Sequence, residues 1–479
     1  MKETNHDKDC RKSTRLIKDS SESENKIAGH SHDKINSKEN TKNELIEKIL
    51  HRNNLNEAFK RVKSNKGSAG IDGISTEELL EHLKKNKDKI LGQIRARKYK
   101  PKPVKRLQIP KANGRKRNLG IPTTTDRAIQ QAIAQVLSPI YEKKFSENSY
   151  GFRPNRSAHD ALKRIKEIGD EGYTWVVDLD LEEYFDTVNQ SKLIQILSEE
   201  IKDGDVISLI HKYLKSGIMI DGIKVKSDKG VPQGGPLSPL LANIYLNEAD
   251  QEFEKWGYKF VRYADDMLIF ARNRKAAERY YKRVKKLLEG KLKLKVNEEK
   301  TSIRKISQTK YLGYGFYQNN GTQLKVHKES LKKLKAKLKA VTSRSNALGY
   351  RQRRIKINQI IIGWIQYFKL ANMRNHLQKL DEWLRRRIRM CAWKGWKKVK
   401  TKFTNLVKLG TEKIQAWQWA NTRRSYWRIA KSPVLSRALN NKRIAERGYI
   451  SLVSYYNKVH IKLKNRRIRN RTYGGVRGR

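Results

Sequence analysis

Two apolar runs close on a pair of acids in Phe260–Phe270, FVRYADDMLIF. The flanks read as strands and Ala264-Asp265-Asp266 as the tight turn between them. An Asp pair at a turn is ordinary in itself, because Asp is a favoured turn residue. Here the flanks are apolar enough to be buried, so the turn stands on a rigid scaffold. Adjacent like charges repel, which makes the pair a poor stability device and a good cation site. A second acidic strand precedes it, TWVVDLDLEEYFD from Thr174 to Asp186. Alternation puts Val176, Asp178 and Asp180 on one face and Trp175, Val177 and Leu179 on the other. Carboxylates on one face of an apolar strand are unfavourable unless paired or metal-bound. Two such strands could hold two Mg²⁺ ions, the arrangement that serves in-line phosphoryl transfer.

The partner is indicated by charge. The 479 residues include 107 Lys+Arg against 49 Asp+Glu, a formal charge of +58. Such an excess calls for an anionic partner, and nucleic acid is the obvious one. A membrane is not, because apolar runs such as Ile360–Ile365 fall far short of the ~20 residues a span needs. Cys10 and Cys391 are the only cysteines, which excludes a disulfide scaffold and a four-cysteine zinc site and fits a reducing, intracellular setting.

Residues 1–40 carry almost nothing apolar and read as a disordered leader. Residues 43–63 have helical spacing, and Lys66–Gly73, KGSAGIDG, is a loop. From about 70 to 325, strands at 174–181, 259–263 and 267–271 mix with helices at 126–137, 157–168, 190–200, 237–253 and 275–289, implying a mixed α/β or α+β core. Gly230–Pro239, GVPQGGPLSP, is a rigid close-approach loop, either a plain turn into a helix or a wall for template and nucleotide. Residues 331–479 hold 41 Lys+Arg and 4 Asp+Glu, and the pattern there is helical. Seven of the nine tryptophans lie between Trp364 and Trp427; core packing is the expectation for most, base stacking the alternative.

The order of these motifs resembles that of reverse transcriptases, and more narrowly of group II intron-encoded proteins, which are reverse transcriptases and maturases. The resemblance covers about 43–479. It rests on IPKANGRKRNLGIP (Ile109–Pro122), YGFRPN (Tyr150–Asn155), WVVDLDLEEYFDTVN (Trp175–Asn189), VPQGGPLSPLLANIYLNEAD (Val231–Asp250), Phe260–Phe270, YLGYGF (Tyr311–Phe316) and GWIQYF (Gly363–Phe368). It implies an α+β right-hand polymerase: fingers and palm over 41–325, a helical thumb over 326–415 and a basic DNA-binding region over 416–479. In the family pattern an aromatic follows the catalytic Asp by five residues. Phe185 so follows Asp180, which implies that Asp180 joins Asp265 and Asp266 as catalytic metal ligands. Leu181 would lend a carbonyl, and Asp178 and Asp186 would be supporting carboxylates. Phe185 then resembles the gate that selects deoxynucleotides. Lys111 and Arg117 would lie over the triphosphate, Gln233 near the template base, and Tyr311, Leu312 and Gly313 in the primer grip. Arg153, Arg423, Arg424 and Arg428 are candidate nucleic-acid contacts, as are Arg466, Arg467 and Arg469.

The implied activity is copying of intron RNA into DNA from dNTPs with two Mg²⁺ ions during target-primed retrohoming, together with maturase assistance to splicing. The implied partners are the intron RNA and target DNA; a homodimer is left open. The implied setting is a cytoplasmic, nucleoid-associated ribonucleoprotein, bacterial by its Lys- and Asn-rich usage. RNA would be held by the N-terminal helices with the Gly67–Gly73 loop and by the thumb. The sequence lacks the paired Cys motifs of a His/Asn-type endonuclease, so the expectation is no DNA cleavage by the chain itself. Two competitors are a non-catalytic RNA-binding splicing factor with a vestigial site, and a retron or defence-type reverse transcriptase.

Overall fold

The computed structural model describes residues 44–110, 114 and 116–461. The expected leader, Lys111, Arg466, Arg467 and Arg469 lie outside them, and of Arg117 only the backbone is described. The chain opens with α1 (Glu44–Leu50) and α2 (Arg52–Ser64), split at His51, whose ring accepts from Asn53 N. Then come α3 (Leu79–Arg95), the hairpin β1 (Val104–Pro110) and β2 (Lys116–Ile121), α4 (Thr124–Glu142) and α5 (Ala158–Asp170). The next stretch is β3 (Trp175–Leu179), α6 (Tyr184–Thr187), α7 (Gln190–Glu200), α8 (Gly204–Leu214), β4 (Ile218–Ile220) and β5 (Ile223–Val225). It continues with α9 (Ser238–Lys255), β6 (Lys259–Tyr263), β7 (Asp266–Ala271), α10 (Arg274–Lys286) and β8 (Ser302–Lys305). A small antiparallel sheet follows from β9 (Lys310–Tyr311), β10 (Tyr314–Gln318) and β11 (Thr322–Val326).

After Val326 the described chain is helical: α11 (Lys328–Val341), α12 (Tyr350–Phe368), α13 (Arg374–Gly395), α14 (Val399–Lys408), α15 (Lys413–Ala420), α16 (Tyr426–Ile429), α17 (Pro433–Ala438) and α18 (Asn441–Glu446). A last helix begins at 452. The architecture is α+β, as expected. Every helix expected before 300 forms; α4 runs past the expected 137 and through Pro139, because Tyr141 is buried one turn further on.

The sheet that matters is four-stranded and antiparallel, in the order β6-β7-β3-β8. Its two faces are covered differently. Val177, Leu179, Met267, Ile269 and Ala271 face one core, shared with α4, α7, α9 and α10. Val176, Val261, Leu268 and Phe270 face another, built with α5, the small sheet, α11–α13 and residues 444–459. Alternation along each strand thus splits the sheet between two cores. Beyond it, β2-β1-β4-β5 form a second four-stranded sheet toward the N-terminal helices.

A third, smaller core joins Trp393, Leu406, Ala416, Ile429, Leu435 and Leu439. It straddles residue 416, so a division there cuts across packed helices, and Tyr449, Leu452 and Tyr456 return to the core of α12 and α13. The tryptophans of this region mostly follow the core expectation: Trp364 and Trp383 pack against the core of α12 and α13, and Trp393, Trp396 and Trp419 belong to the small third core or pack against it. Trp393 is buried, Trp417 is exposed, and the other five are half-buried. Several carry a cation: Arg386 lies 3.8 Å from the Trp427 ring centroid and Arg424 5.6 Å from that of Trp419.

Candidate active site

The acidic turn closes the β6–β7 hairpin, with Tyr263 paired to Asp266. Ala264 sits in the left-handed region at φ 59°, a strained conformation for a residue with a Cβ. It is held from behind. Gly151 presses on it so closely that a Cβ there would lie 2.3 Å from Ala264 N. Tyr150 N donates to Arg262 O, and Arg262 N to Asn148 O, at 2.9 Å each. The YGF segment is therefore backing for the turn.

The strongest element of that backing is Arg262, in the middle of an apolar strand and fully buried. Its guanidinium grips Asp250 of α9 through Nε and Nη2, while Nη1 donates to Asn243 Oδ1 at 2.8 Å and to Ala264 O at 3.0 Å. Asn243 Nδ2 in turn donates to Gly151 O at 2.8 Å. Asn243 and Asp250, seven residues apart, share one face of α9. The sequence offered a signal for this that went unused: a cation at a buried strand position requires a buried partner.

β3 ends at Leu179, one residue short of Asp180. There the chain leaves the sheet and pairs with 295–297: Asn297 N donates to Asp180 O and Glu182 N to Lys295 O, both at 2.9 Å. Those bonds flank Leu181, which stands opposite Val296; in this pairing the carbonyl of Leu181 turns away from that partner. Lys300 Nζ donates to Asp180 Oδ2 at 2.7 Å, and Asp180 N to Thr301 Oγ1 at 3.2 Å. Asp178 instead faces Arg304 at 3.7 Å. So the two acids of β3 part, Asp178 toward an arginine in the sheet and Asp180 toward the cleft end of the strands. Lys300 was not anticipated, since nothing in its polar surroundings in the sequence distinguishes it.

The carboxylates share one electrostatic field. Burial first, then the charges of Asp265, Asp180 and Asp178, push Asp266 up to about 6, against the pull of Lys300. Asp178 is likewise pushed up to about 6, by burial above all, with Arg304 opposing and Asp180 adding. Asp266 is nonetheless exposed at the cleft by its surface area, so solvent screens part of this repulsion and the direction is what matters. Among the described residues no three His, Cys, Asp or Glu side chains already form a closed metal cage. The donor set suits Mg²⁺ all the same, because that ion takes few carboxylates and leaves room for substrate phosphates. Lys300 partly neutralises Asp180 in the ion-free structure.

A pH dependence follows. Folding makes the Asp266 carboxyl hold its proton more tightly than in the unfolded chain, so this group favours the native state at low pH, and that contribution is lost as pH rises through about 6. Without divalent ions, Asp266→Asn is expected to melt above the wild type at about pH 7.5, with an advantage that shrinks as pH falls below about 6 and vanishes only below the ordinary carboxylate range, near pH 3.8. Divalent-ion affinity should weaken below about pH 6, because the proton must leave first. Thermal melts with chelator and with Mg²⁺ across that window check both.

Around these acids lie the other expected residues. Tyr311 is buried and its hydroxyl donates to Asp266 O at 3.1 Å. Leu312 and Gly313 form a left-handed turn, at φ 49° and 80°. Tyr367 Oη donates to Leu312 O and Ser330 Oγ to Gly313 O, both at 2.9 Å, tying the turn to α12 and α11. Phe185 and Gln233 line one cavity of about 440 Å³ with Leu119, Arg127 and Phe152. The GVPQGGP loop closes it by contact: Gly120 N donates to Gln233 O at 2.6 Å, and a Cβ on Gly234 would lie 2.3 Å from Gly120 O. Arg127 was also missed; its Nη2 donates to Ser68 O at 2.5 Å and so holds the 66–73 loop at the cavity. Arg153 must be reassigned. It is buried, and its guanidinium is spent on Glu142 and the carbonyls of Ser146 and Ser149, so it anchors a loop and is no phosphate contact. Arg423, Arg424 and Arg428 are exposed.

The reverse transcriptase (RNA-dependent DNA polymerase) family matches residues 109–316, and the group II intron maturase-specific domain matches 331–410. Protein YkfC of Escherichia coli (strain K12) is 35% identical, over 52% of this chain and 76% of that protein. The chain belongs to the group II intron reverse transcriptase family. The group II intron-encoded protein LtrA of Lactococcus lactis subsp. cremoris is 38% identical over 54% of each chain, so this chain spans about half of that relative. A chain of the solved partial Cas6-RT-Cas1–Cas2 complex aligns at 26% identity over 55% of this chain and 46% of its own, with a TM-score of 0.35. The polymerase match begins in β1 and ends in β10, enclosing the acidic turn, the Tyr311–Gly313 turn and most of the cavity lining. As a reverse transcriptase, the chain is an RNA-directed DNA polymerase, whose family uses divalent metal and nucleotides. No helix among the described residues is long and apolar enough to cross a membrane.

Proposed function

We propose that this reverse transcriptase copies group II intron RNA into DNA during target-primed retrohoming, and assists splicing of that RNA as a maturase. The observation that carries the copying role is the Tyr311–Asp266 bond, which joins the primer-grip turn directly to the catalytic strand. The maturase-specific match from 331, immediately after the polymerase match, supports the second role.

Asp180, Asp265 and Asp266, with the Leu181 carbonyl, would hold two Mg²⁺ ions. Those ions, when bound, would acidify the attacking hydroxyl and neutralise charge on the triphosphate. The Tyr311–Gly313 turn seats the primer so that its 3′-oxygen meets the α-phosphorus. That P–O bond forms as the bond to pyrophosphate breaks, and the hydroxyl proton is released. Lys111 and Arg117 serve the triphosphate, Gln233 the template base, and Phe185 crowds the sugar. Beyond 326 the thumb and a basic region engage RNA and target DNA, with exposed Arg423, Arg424 and Arg428 on DNA phosphates. The relatives in Escherichia coli and Lactococcus lactis support a bacterial host, where the chain would act as a cytoplasmic ribonucleoprotein at the nucleoid.

Extension of a DNA primer on an RNA template, with dNTPs and then rNTPs, tests this. The wild type should extend with dNTPs. Phe185→Ala should erode discrimination against rNTPs by at least about tenfold in kcat/KM. If folded, RNA-binding wild type gives no extension, a splicing factor without polymerase activity replaces this proposal. Unchanged discrimination in the variant removes Phe185 from the sugar pocket.

A further inference from the structure

Helix α10 carries a line of cations that the copying site does not use. Lys275, Arg279, Lys282 and Lys286 are spaced four, three and four residues apart and all are exposed. At 100° per residue that spacing keeps them on one face. With a rise of 1.5 Å per residue the line is about 16 Å long. The opposite face is buried through Ala276, Ala277 and Val284.

That buried face settles where the line points. It packs with Val177, Ile269 and Ala271. Asp266, two residues before Leu268 on β7, belongs with the other face of the sheet, where Leu268 and Phe270 join the second core. The stripe is therefore behind the palm, across the sheet from the catalytic carboxylates. A primer–template at those carboxylates would lie on the other side of the sheet from it.

Neighbouring like charges at three- and four-residue spacing weaken a helix, so the helix carries an internal repulsion that packing does not require. Local conflicts of this kind are expected at functional surfaces. The nearby acids are engaged elsewhere: Glu278 with Arg274, Glu298 with Lys285, and Glu252 with Lys255 and Lys291. A shallow groove of about 400 Å³ is lined by Lys275, Arg279 and Lys282 together with Glu278, whose carboxylate is held by Arg274. The flank is rigid, because Arg283 lies 4.0 Å from the Trp256 ring centroid and Tyr280 stacks on Tyr258 at 4.0 Å.

We infer that this stripe is a second RNA-binding surface, which grips the phosphate backbone of a helical segment of RNA while the cleft is occupied. The inference rests on the proposed function, in which a folded intron RNA larger than the cleft must be held as it is copied. Flexible cations in a line suit phosphates rather than base edges, so recognition would be by backbone and shape.

The test uses the full chain with its cleft filled by a dideoxy-terminated DNA primer on an RNA template plus the next dNTP. A short fluorescent RNA duplex is then titrated in at several salt concentrations, beside a DNA duplex of the same sequence. The comparison protein carries Lys275→Gln, Arg279→Gln, Lys282→Gln and Lys286→Gln, changes that keep good helix formers at exposed positions. The loaded wild type should bind the RNA duplex with a steep salt dependence. In the variant the slope of log affinity against log salt should fall by about three, as four phosphate contacts disappear, with kcat and KM for primer extension unchanged. An unaltered slope overturns the proposal. So does an RNA duplex that binds only when the cleft is empty, or a DNA duplex that binds as well and loses as much. Should the wild type fail to extend primers, the polymerase proposal falls by itself, and the slope difference measured without primer–template still decides the stripe.

Discussion

Replacing Asp265 and Asp266 together by Ala should abolish primer extension, by at least about a thousandfold, while leaving the fold intact or slightly more stable. The two halves of that expectation come from one fact. Asp266 is pushed up by burial and by the charges of Asp265, Asp180 and Asp178, so the ion-free site stores repulsion that folding must overcome. Removing two of these carboxylates relieves it. A structural acid behaves in the opposite way, because its loss leaves a cation or donor unpaired. Melting temperature in chelator and extension rate in Mg²⁺ therefore form a paired readout. Lost activity with an equal or raised melting temperature is the signature of a metal site. Activity within tenfold of the wild type would move the chemistry elsewhere, and a large fall in melting temperature would mark the pair as structural. RNA affinity should be unaffected, since it rests on basic surfaces remote from this turn.

Periodicity carried a great deal of this structure. The acidic hairpin was legible because apolar flanks with a polar pair between them have few folded solutions, and β6 and β7 form as expected. Helices α5, α7, α9 and α10 stand where the apolar spacing put them. The strand pattern also placed Asp178 and Asp180 on one face, which overstated their likeness. Alternation does not say where a strand ends, and β3 ends one residue before Asp180 because the backbone there bonds with 295–297. The family resemblance, not spacing, separated the two acids.

What remained illegible was long-range and polar. Lys300 meets Asp180 across 120 residues of chain, and Tyr311 meets the Asp266 carbonyl across 45. No local pattern encodes such pairs. Arg153 shows the converse error: positive charge in a motif-bearing loop suggests phosphate, but a guanidinium surrounded by carbonyls and Glu142 is an internal brace. The tryptophans beyond Trp364 illustrate a third limit. Composition marks them as core, and most do pack against one, but half-buried, so that a ring covers apolar surface on one side and several meet Arg or Lys on the other.

Arg262→Met should be the most destabilising single change near the site. It strands the Asp250 carboxylate in a fully buried position, where both partners have no solvent exposure, and such a loss costs about 3–5 kcal/mol. It also takes the donor from Ala264 O, the carbonyl of the left-handed residue that sets the direction of Asp265 and Asp266. The stability and the positioning can be separated by a second variant. Arg262→Met with Asp250→Leu removes both charges and replaces the pair by apolar side chains of similar size. Replacing a buried pair in this way is often neutral or better for stability, so much of the lost stability should return on urea unfolding. Activity should not return, because Ala264 O and Asn243 Oδ1 still lack their donor and the strained turn is free to relax. The residual defect should lie chiefly in kcat, since the disturbed turn carries Asp265 and Asp266; the cavity shares only Phe152 and the start of α9 with the backing of that turn, so KM for the nucleotide should change less. If the double variant regains full activity along with its stability, Arg262 is a folding residue alone. If stability returns and kcat stays low, the buried arginine is what keeps the catalytic turn in its strained, working shape.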